Sequence, residues 1–125
     1  MAGLFFFKTR MLDEIVRFYL DRTGMEIWLR QKDCVILSHG NLLIGFCQRD
    51  ASETEGMITF FYPSKEEVDR VFARLRDIAN TEPNENQQYQ IYQFFAVDPE
   101  GRALEFQAFL HPLQALRVEP FLQKR

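Results

Sequence analysis

One carboxylate, Glu105, stands between Leu104 and Phe106 in the stretch DPEGRALEFQ, Asp98 to Gln107. Asp98-Pro99-Glu100-Gly101 is turn chemistry, and Ala103 to Gln107 reads as a strand. On a half-buried strand such a Glu faces solvent. Facing a cleft instead, it could donate a hydrogen bond when neutral or favour a cation when ionised. Other groups with chemical potential are few. His39 in SHGN and His111 in LHPL lack a Cys, His or Asp at ligand spacing and read as surface turn residues. Cys34 and Cys47 show no metal-site spacing, and no nucleophile stands near a base. Both cysteines read as small buried hydrophobes, reduced rather than bonded.

The totals narrow the classes. A chain of 125 residues fits one domain with a single core. Hydrophobic residues at 46% and charged residues at 26% suit a folded soluble protein. Thirteen Phe imply a core or a cavity lined with rings. A net charge of −3 without a basic stripe speaks against a nucleic-acid partner. Apolar runs are too short to span a membrane, and the opening MAGLFFFKTR does not read as a signal peptide, so the expected location is cytoplasmic.

The elements that must position Glu105 come in two similar sets. The first reads as strand Leu4–Lys8, helix Leu12–Thr23, then strands Glu26–Gln31, Cys34–Ser38 and Leu42–Arg49. After the linker DASETEG, the second reads as strand Met57–Tyr62, helix Lys65–Asn80, and strands Tyr89–Val97 and Arg102–Phe109. A further strand is placed near Asn84–Gln88. Leu12, Ile15, Val16, Tyr19 and Leu20 form a helical stripe, as do Val68, Val71, Phe72, Leu75 and Ile78. Ser64 with Glu67 makes a capping box. Shifting the chain by 53 residues lays Leu4 on Met57, Phe7 on Phe60, Arg17 on Arg70 and Tyr19 on Phe72. The expected fold is therefore α+β. Two βαβββ modules, 4–49 and 57–110, form curled mixed sheets around a central cleft with helices outside, and a tail covers 111–125.

Strand alternation assigns faces. A turn of the I′ kind at Gly40-Asn41 opposes Val35 to Phe46 and Leu37 to Ile44 on the helix side. It opposes Cys34 to Cys47 and Ile36 to Gly45 on the open side. A turn at His39-Gly40 would instead oppose Cys34 to Gly45. Gly45 in mid-strand signals that something comes close, a ligand or another backbone. Ile27 and Leu29 go to the helix side, and Trp28 to the open side. Glu105 and Gln107 share their face with Phe109.

The opening strand, the run DEIVRFYLDRTGMEI from Asp13 to Ile27, and DPEGRALEFQ together resemble the vicinal oxygen chelate superfamily, covering about residues 4–109. That superfamily includes glyoxalases, extradiol dioxygenases and bleomycin-resistance proteins. The resemblance implies paired modules around a cleft, commonly in homodimers. Metal-binding members use His, Gln or Glu on the first and last strand of each module. Here those positions fall on Leu4, Gly45 (Ile44 if the register slips), Met57 and Glu105. One hard ligand of four does not hold Fe, Zn, Mn or Ni, so neither metal nor other cofactor is expected.

The reading that follows is a metal-free, glyoxalase/bleomycin-resistance/dioxygenase-like protein. It binds a small hydrophobic or aromatic molecule between Leu4, Phe6, Trp28, Gly45, Met57, Phe61, Phe95 and Glu105. Binding and catalysis both stay open, as does a cleft built within one chain or across a dimer. Two alternatives stand beside it. One is a cleft filled by its own side chains. The other is a metal-dependent lyase or dioxygenase with ligands such as His39 or Gln48. A homodimer is expected because the tail carries Leu113, Leu116, Val118, Phe121 and Leu122. Burial of Glu105 would raise its pKa unless Lys8 or an Arg reaches it.

Overall fold

In a computed structural model, which describes residues 2–116, two mixed four-stranded sheets each carry one helix. The first module is β1 (Phe5–Thr9), α1 (Leu12–Phe18), β2 (Glu26–Arg30), β3 (Cys34–His39) and β4 (Leu42–Gln48). The second is β5 (Met57–Tyr62), α2 (Lys65–Leu75), β6 (Asn84–Asn86), β7 (Ile91–Val97) and β8 (Ala103–Phe109). The strand orders are β1-β4-β3-β2 and β5-β8-β7-β6, so each module has the same topology. β1 runs parallel to β4, and β5 parallel to β8. This is the α+β arrangement of paired βαβββ modules. Val118, Phe121 and Leu122 lie outside the described residues.

Local sequence explains most boundaries. The Ser64 hydroxyl accepts from the Glu67 amide at 3.3 Å and starts α2. Val68, Val71 and Leu75 are buried from one stripe of that helix. α1 is shorter than its apolar stripe implies, because the chain widens into a π-helical turn at Tyr19–Thr23. The β3–β4 register pairs Cys34 with Cys47, Val35 with Phe46 and Ile36 with Gly45. Gly40 takes a φ of +58° while Asn41 stays at negative φ, so the turn follows the II′ pattern rather than I′. A β-bulge between Ile27 and Leu29 sets Leu29 opposite Ile36, which moves Leu29 to the open face.

The helix-covered faces share one core. Phe7, Ile15, Tyr19, Leu37 and Phe46 from the first module join Phe60, Val68, Phe94 and Phe106 from the second. At their seam lies a buried polar clamp built from DPEGR. Arg102, 1% exposed, donates to the Asp98 carboxylate at 3.1 Å, to Glu100 at 2.7 Å and to the Lys8 carbonyl at 2.8 Å. Its guanidinium also sits 5.2 Å from the Phe7 and Phe46 ring centres. Tyr19 donates to Asp98 at 2.7 Å, and Thr9 donates to Glu100 at 2.7 Å. Burial, then the Asp98 charge, pushes the Tyr19 hydroxyl pKa well up. Burial works to raise the Glu100 pKa, but hydrogen bonds from Ser52, Thr9, Arg102 and Arg10 outweigh it and hold it at about 2. The turn motif thus ties module to module.

Candidate functional site

The open face of the second sheet is hollow. Across it, the register aligns Thr59, Glu105 and Phe95 in one row and Phe61, Gln107 and Gln93 in the next. Side chains alternate along each strand, so these six share a face while Leu104 and Phe106 enter the core. A concavity of about 600 Å³ opens there. Met57, Ile91, Phe95 and Phe109 give apolar walls, and Glu105 with Gln107 forms a polar floor.

Glu105 is 9% exposed and Gln107 8%. The Thr59 hydroxyl donates to Glu105 Oε1 at 2.8 Å, and Gln107 Nε2 lies 3.4 Å from the same oxygen. Among the described residues neither Lys8 nor any Arg pairs with this carboxylate. Arg102, three residues away, is committed to the seam clamp. The carbonyl oxygens of Gln93 and Gln107 are buried without a hydrogen-bond partner. Buried acceptors left unpaired by the chain are costly, so these two take a hydrogen bond from water or from a bound molecule.

Of the residues expected to wall a cleft, Met57, Phe95 and Glu105 meet in this hollow. Phe61 lies beside it, edge-on to Phe109 with ring centres 5.4 Å apart. Leu4, Phe6, Trp28 and Gly45 stand on or beside the first sheet, away from the hollow. There the close approach at Gly45 is made by the chain itself. A Cβ at that position would lie 2.5 Å from Cδ1 and from Cε1 of Phe6. Missing side-chain volume lets the ring lie over the strand. Trp28 sits at the β2 bulge, 41% exposed.

Two expectations change. Cys34 and Cys47 are opposed and buried on the open face, but they are joined as a disulfide rather than reduced. Opposed positions on neighbouring strands hold the two Cα atoms 4.0 Å apart, which brings the sulfurs within bonding reach. His39 is no surface turn residue. It is half-buried at the seam, edge-on to Phe60 at 5.1 Å, where burial lowers its pKa. His111 lines the hollow's rim. Gln107 is on the face the alternation assigned it. The residue sequence reasoning missed is Gln93, opposite it on β7, which a hairpin count from β7 to β8 would have placed there.

The superfamily's metal positions do not fit a hard metal here. Leu4 and Gly45 offer no side-chain donor, Met57 offers a soft thioether, and Glu105 alone offers oxygen. No group of three or more His, Cys, Asp or Glu among the described residues could hold a metal ion.

No family model matches the chain, and no curated protein matches it. Solved structures do. A glyoxalase/bleomycin resistance protein/dioxygenase family enzyme from Burkholderia phytofirmans PsJN aligns with a TM-score of 0.74 at 21% identity. The alignment covers 86% of this chain and 97% of that one. A glyoxalase/bleomycin resistance protein/dioxygenase from Alicyclobacillus acidocaldarius aligns at 0.72 and 18%, covering 89% and 92%. Lactoylglutathione lyase from Agrobacterium tumefaciens aligns at 0.70 and 21%, covering 86% and 92%. The chain has the vicinal oxygen chelate fold.

Proposed function

We propose that this protein binds a small hydrophobic or aromatic molecule on the open face of its second sheet, without a metal at the superfamily's ligand positions. The observation that carries this is the hollow itself: rings and Met57 around a buried Glu105–Gln107 pair with an unpartnered acceptor. Apolar walls with a few converging polar groups are what small-ligand sites are made of. The similar structures include a lactoylglutathione lyase and members of a glyoxalase/bleomycin resistance protein/dioxygenase family. One fold can host many functions, so support for the reading comes from the site. Among the described residues no nucleophile–base pair lines the hollow, and binding is the activity proposed.

A second copy of the chain is part of this reading. Leu4, Phe6, Trp28, Leu29, Met57 and Phe61 are each at least 39% exposed. They lie on or beside the open faces of the two sheets, and apolar area of that kind calls for cover. In a homodimer, the Leu4, Phe6 and Trp28 surface of one subunit, with Gly45 beneath the Phe6 ring, closes the hollow of its partner. The location consistent with a standing disulfide is an oxidising one; in a cytoplasm the pair would be reduced.

The test is a thermal-shift screen of small aromatic and apolar compounds, repeated with Glu105→Gln and followed by sedimentation. A hit whose binding Glu105→Gln weakens supports the site. Compounds that bind with no change in the variant place the ligand elsewhere. A monomer at micromolar concentration rejects the dimer alone.

A further inference from the structure

The hollow's hydrogen-bonding groups are arranged with a polarity. Both donors near Glu105, the Thr59 hydroxyl and Gln107 Nε2, are directed at the same oxygen, Oε1. Oε2 is left with no protein donor among the described residues. Because Gln107 turns its NH₂ to the carboxylate, its carbonyl oxygen faces the other way, and that oxygen is buried with no partner. A flipped amide would set oxygen against oxygen, so the local network decides this orientation. Gln93, opposite Gln107, adds a second buried and unpartnered carbonyl oxygen. At the floor, then, Thr59 and Gln107 direct donors at Oε1, while Glu105 Oε2 and the Gln107 and Gln93 side-chain carbonyls are acceptors without a protein partner. The other polar side chains of the lining, Asn86, Tyr89 and His111, stand around them.

Charge points the same way. Among the described residues Glu105 is the only acidic side chain lining the hollow, and no Lys or Arg lines it. Apolar walls of Met57, Ile91, Phe95 and Phe109 keep water from screening the carboxylate on those sides. An anion would meet acceptors and a like charge, and a neutral hydrocarbon would leave three acceptors bare.

We infer that the hollow selects an organic cation bearing N–H groups, an amine or amidine carried on an apolar body. The inference rests on the hollow being a ligand site and adds the class of ligand. Its N–H groups meet Glu105 Oε2 and the Gln107 carbonyl, and its apolar body lies against Phe95 and Met57.

Three probes of nearly one shape test it on the full chain labelled with ¹⁵N: benzamidine, benzamide and benzoate. The expected result is benzamidine binding about tenfold or more tighter than benzamide, with shifts at Thr59, Glu105 and Gln107, and no binding of benzoate. Glu105→Gln should bring benzamidine and benzamide to similar affinity, its fold checked by the same spectrum. Equal affinities in the native chain, or binding of benzoate, would overturn cation selection and leave the hollow standing as a site. A preference that survives Glu105→Gln overturns it too, because the carboxylate would not be its source. If no probe perturbs these residues at millimolar concentration, both the selectivity and the site reading fall. The native chain decides these outcomes even if the variant does not fold.

Discussion

The two open faces occupy the same topological place and have opposite contents. In the first sheet, Phe6 pairs with Gly45 and Cys34 with Cys47; in the second, Thr59 pairs with Glu105 and Gln93 with Gln107. One face is closed by its own ring and its own covalent bond. The other keeps a carboxylate and two amides under a hollow, with buried carbonyl oxygens unpaired. A duplicated frame therefore carries two different faces. On one, a ring fills the space beside a glycine and a covalent bond joins two strands; on the other, polar groups stay under an open hollow. The comparison sets the two expected alternatives, a ligand cleft and a cleft filled by its own side chains, against one another on different modules.

The comparison depends on both modules being held in one frame, so the largest effect should come from the seam. Arg102→Ala leaves Asp98 and Glu100 buried without their cation and should cost about 3–5 kcal/mol in urea unfolding. A cost below about 1 kcal/mol would mean the modules are held by their apolar core alone. Acid should attack the same clamp. The folded pKa of Glu100 is depressed from 4.5 to about 2, so its contribution is full above the unfolded value. It is lost as pH falls from about 4.5 towards 2. Glu100→Gln should flatten that limb of the stability–pH curve, and an unchanged limb would assign it to other carboxylates.

Reducing the disulfide tests how the first face is finished. Its sequence separation of 13 residues predicts a loss of roughly 3 kcal/mol by loop closure, read from unfolding with and without a thiol reductant. The paired strands should stay in register, because the other β3–β4 partners do not depend on sulfur. Gly45→Ala tests the same face by volume. The added methyl displaces the Phe6 ring and should cost about 1–3 kcal/mol, most of it recovered in the Phe6→Ala background. No recovery would show that the strain lies in the backbone.

The smallest change should come from the face left open. Glu105→Gln keeps the shape and the bond from Thr59, so stability should move by less than about 1 kcal/mol. A larger destabilisation would make Glu105 a structural group, like its counterparts on the first sheet.

The amino-acid sequence by itself determined the two βαβββ units, because apolar periodicity, the Ser64 cap and the Gly40 turn are local signals. It narrowed the β3–β4 register to two turns, since a hairpin's register follows from its turn. The fold adopts the Gly40-Asn41 one, with its Cys34–Cys47 and Ile36–Gly45 pairs. The bulge at Trp28 was not legible, because an extra residue in a strand leaves the alternating pattern nearly intact on either side. Nor was the role of DPEGR. Turn chemistry was plain, but the partners of Asp98, Glu100 and Arg102 lie in Lys8, Thr9 and Tyr19, some eighty to ninety residues away. Only the tertiary structure decided that Gly45 makes room for Phe6 and that Glu105, Gln107 and Gln93 face a hollow. The same strand alternation serves a filled face and an open one. The difference lies in which side chains meet across strands, and packing settles that.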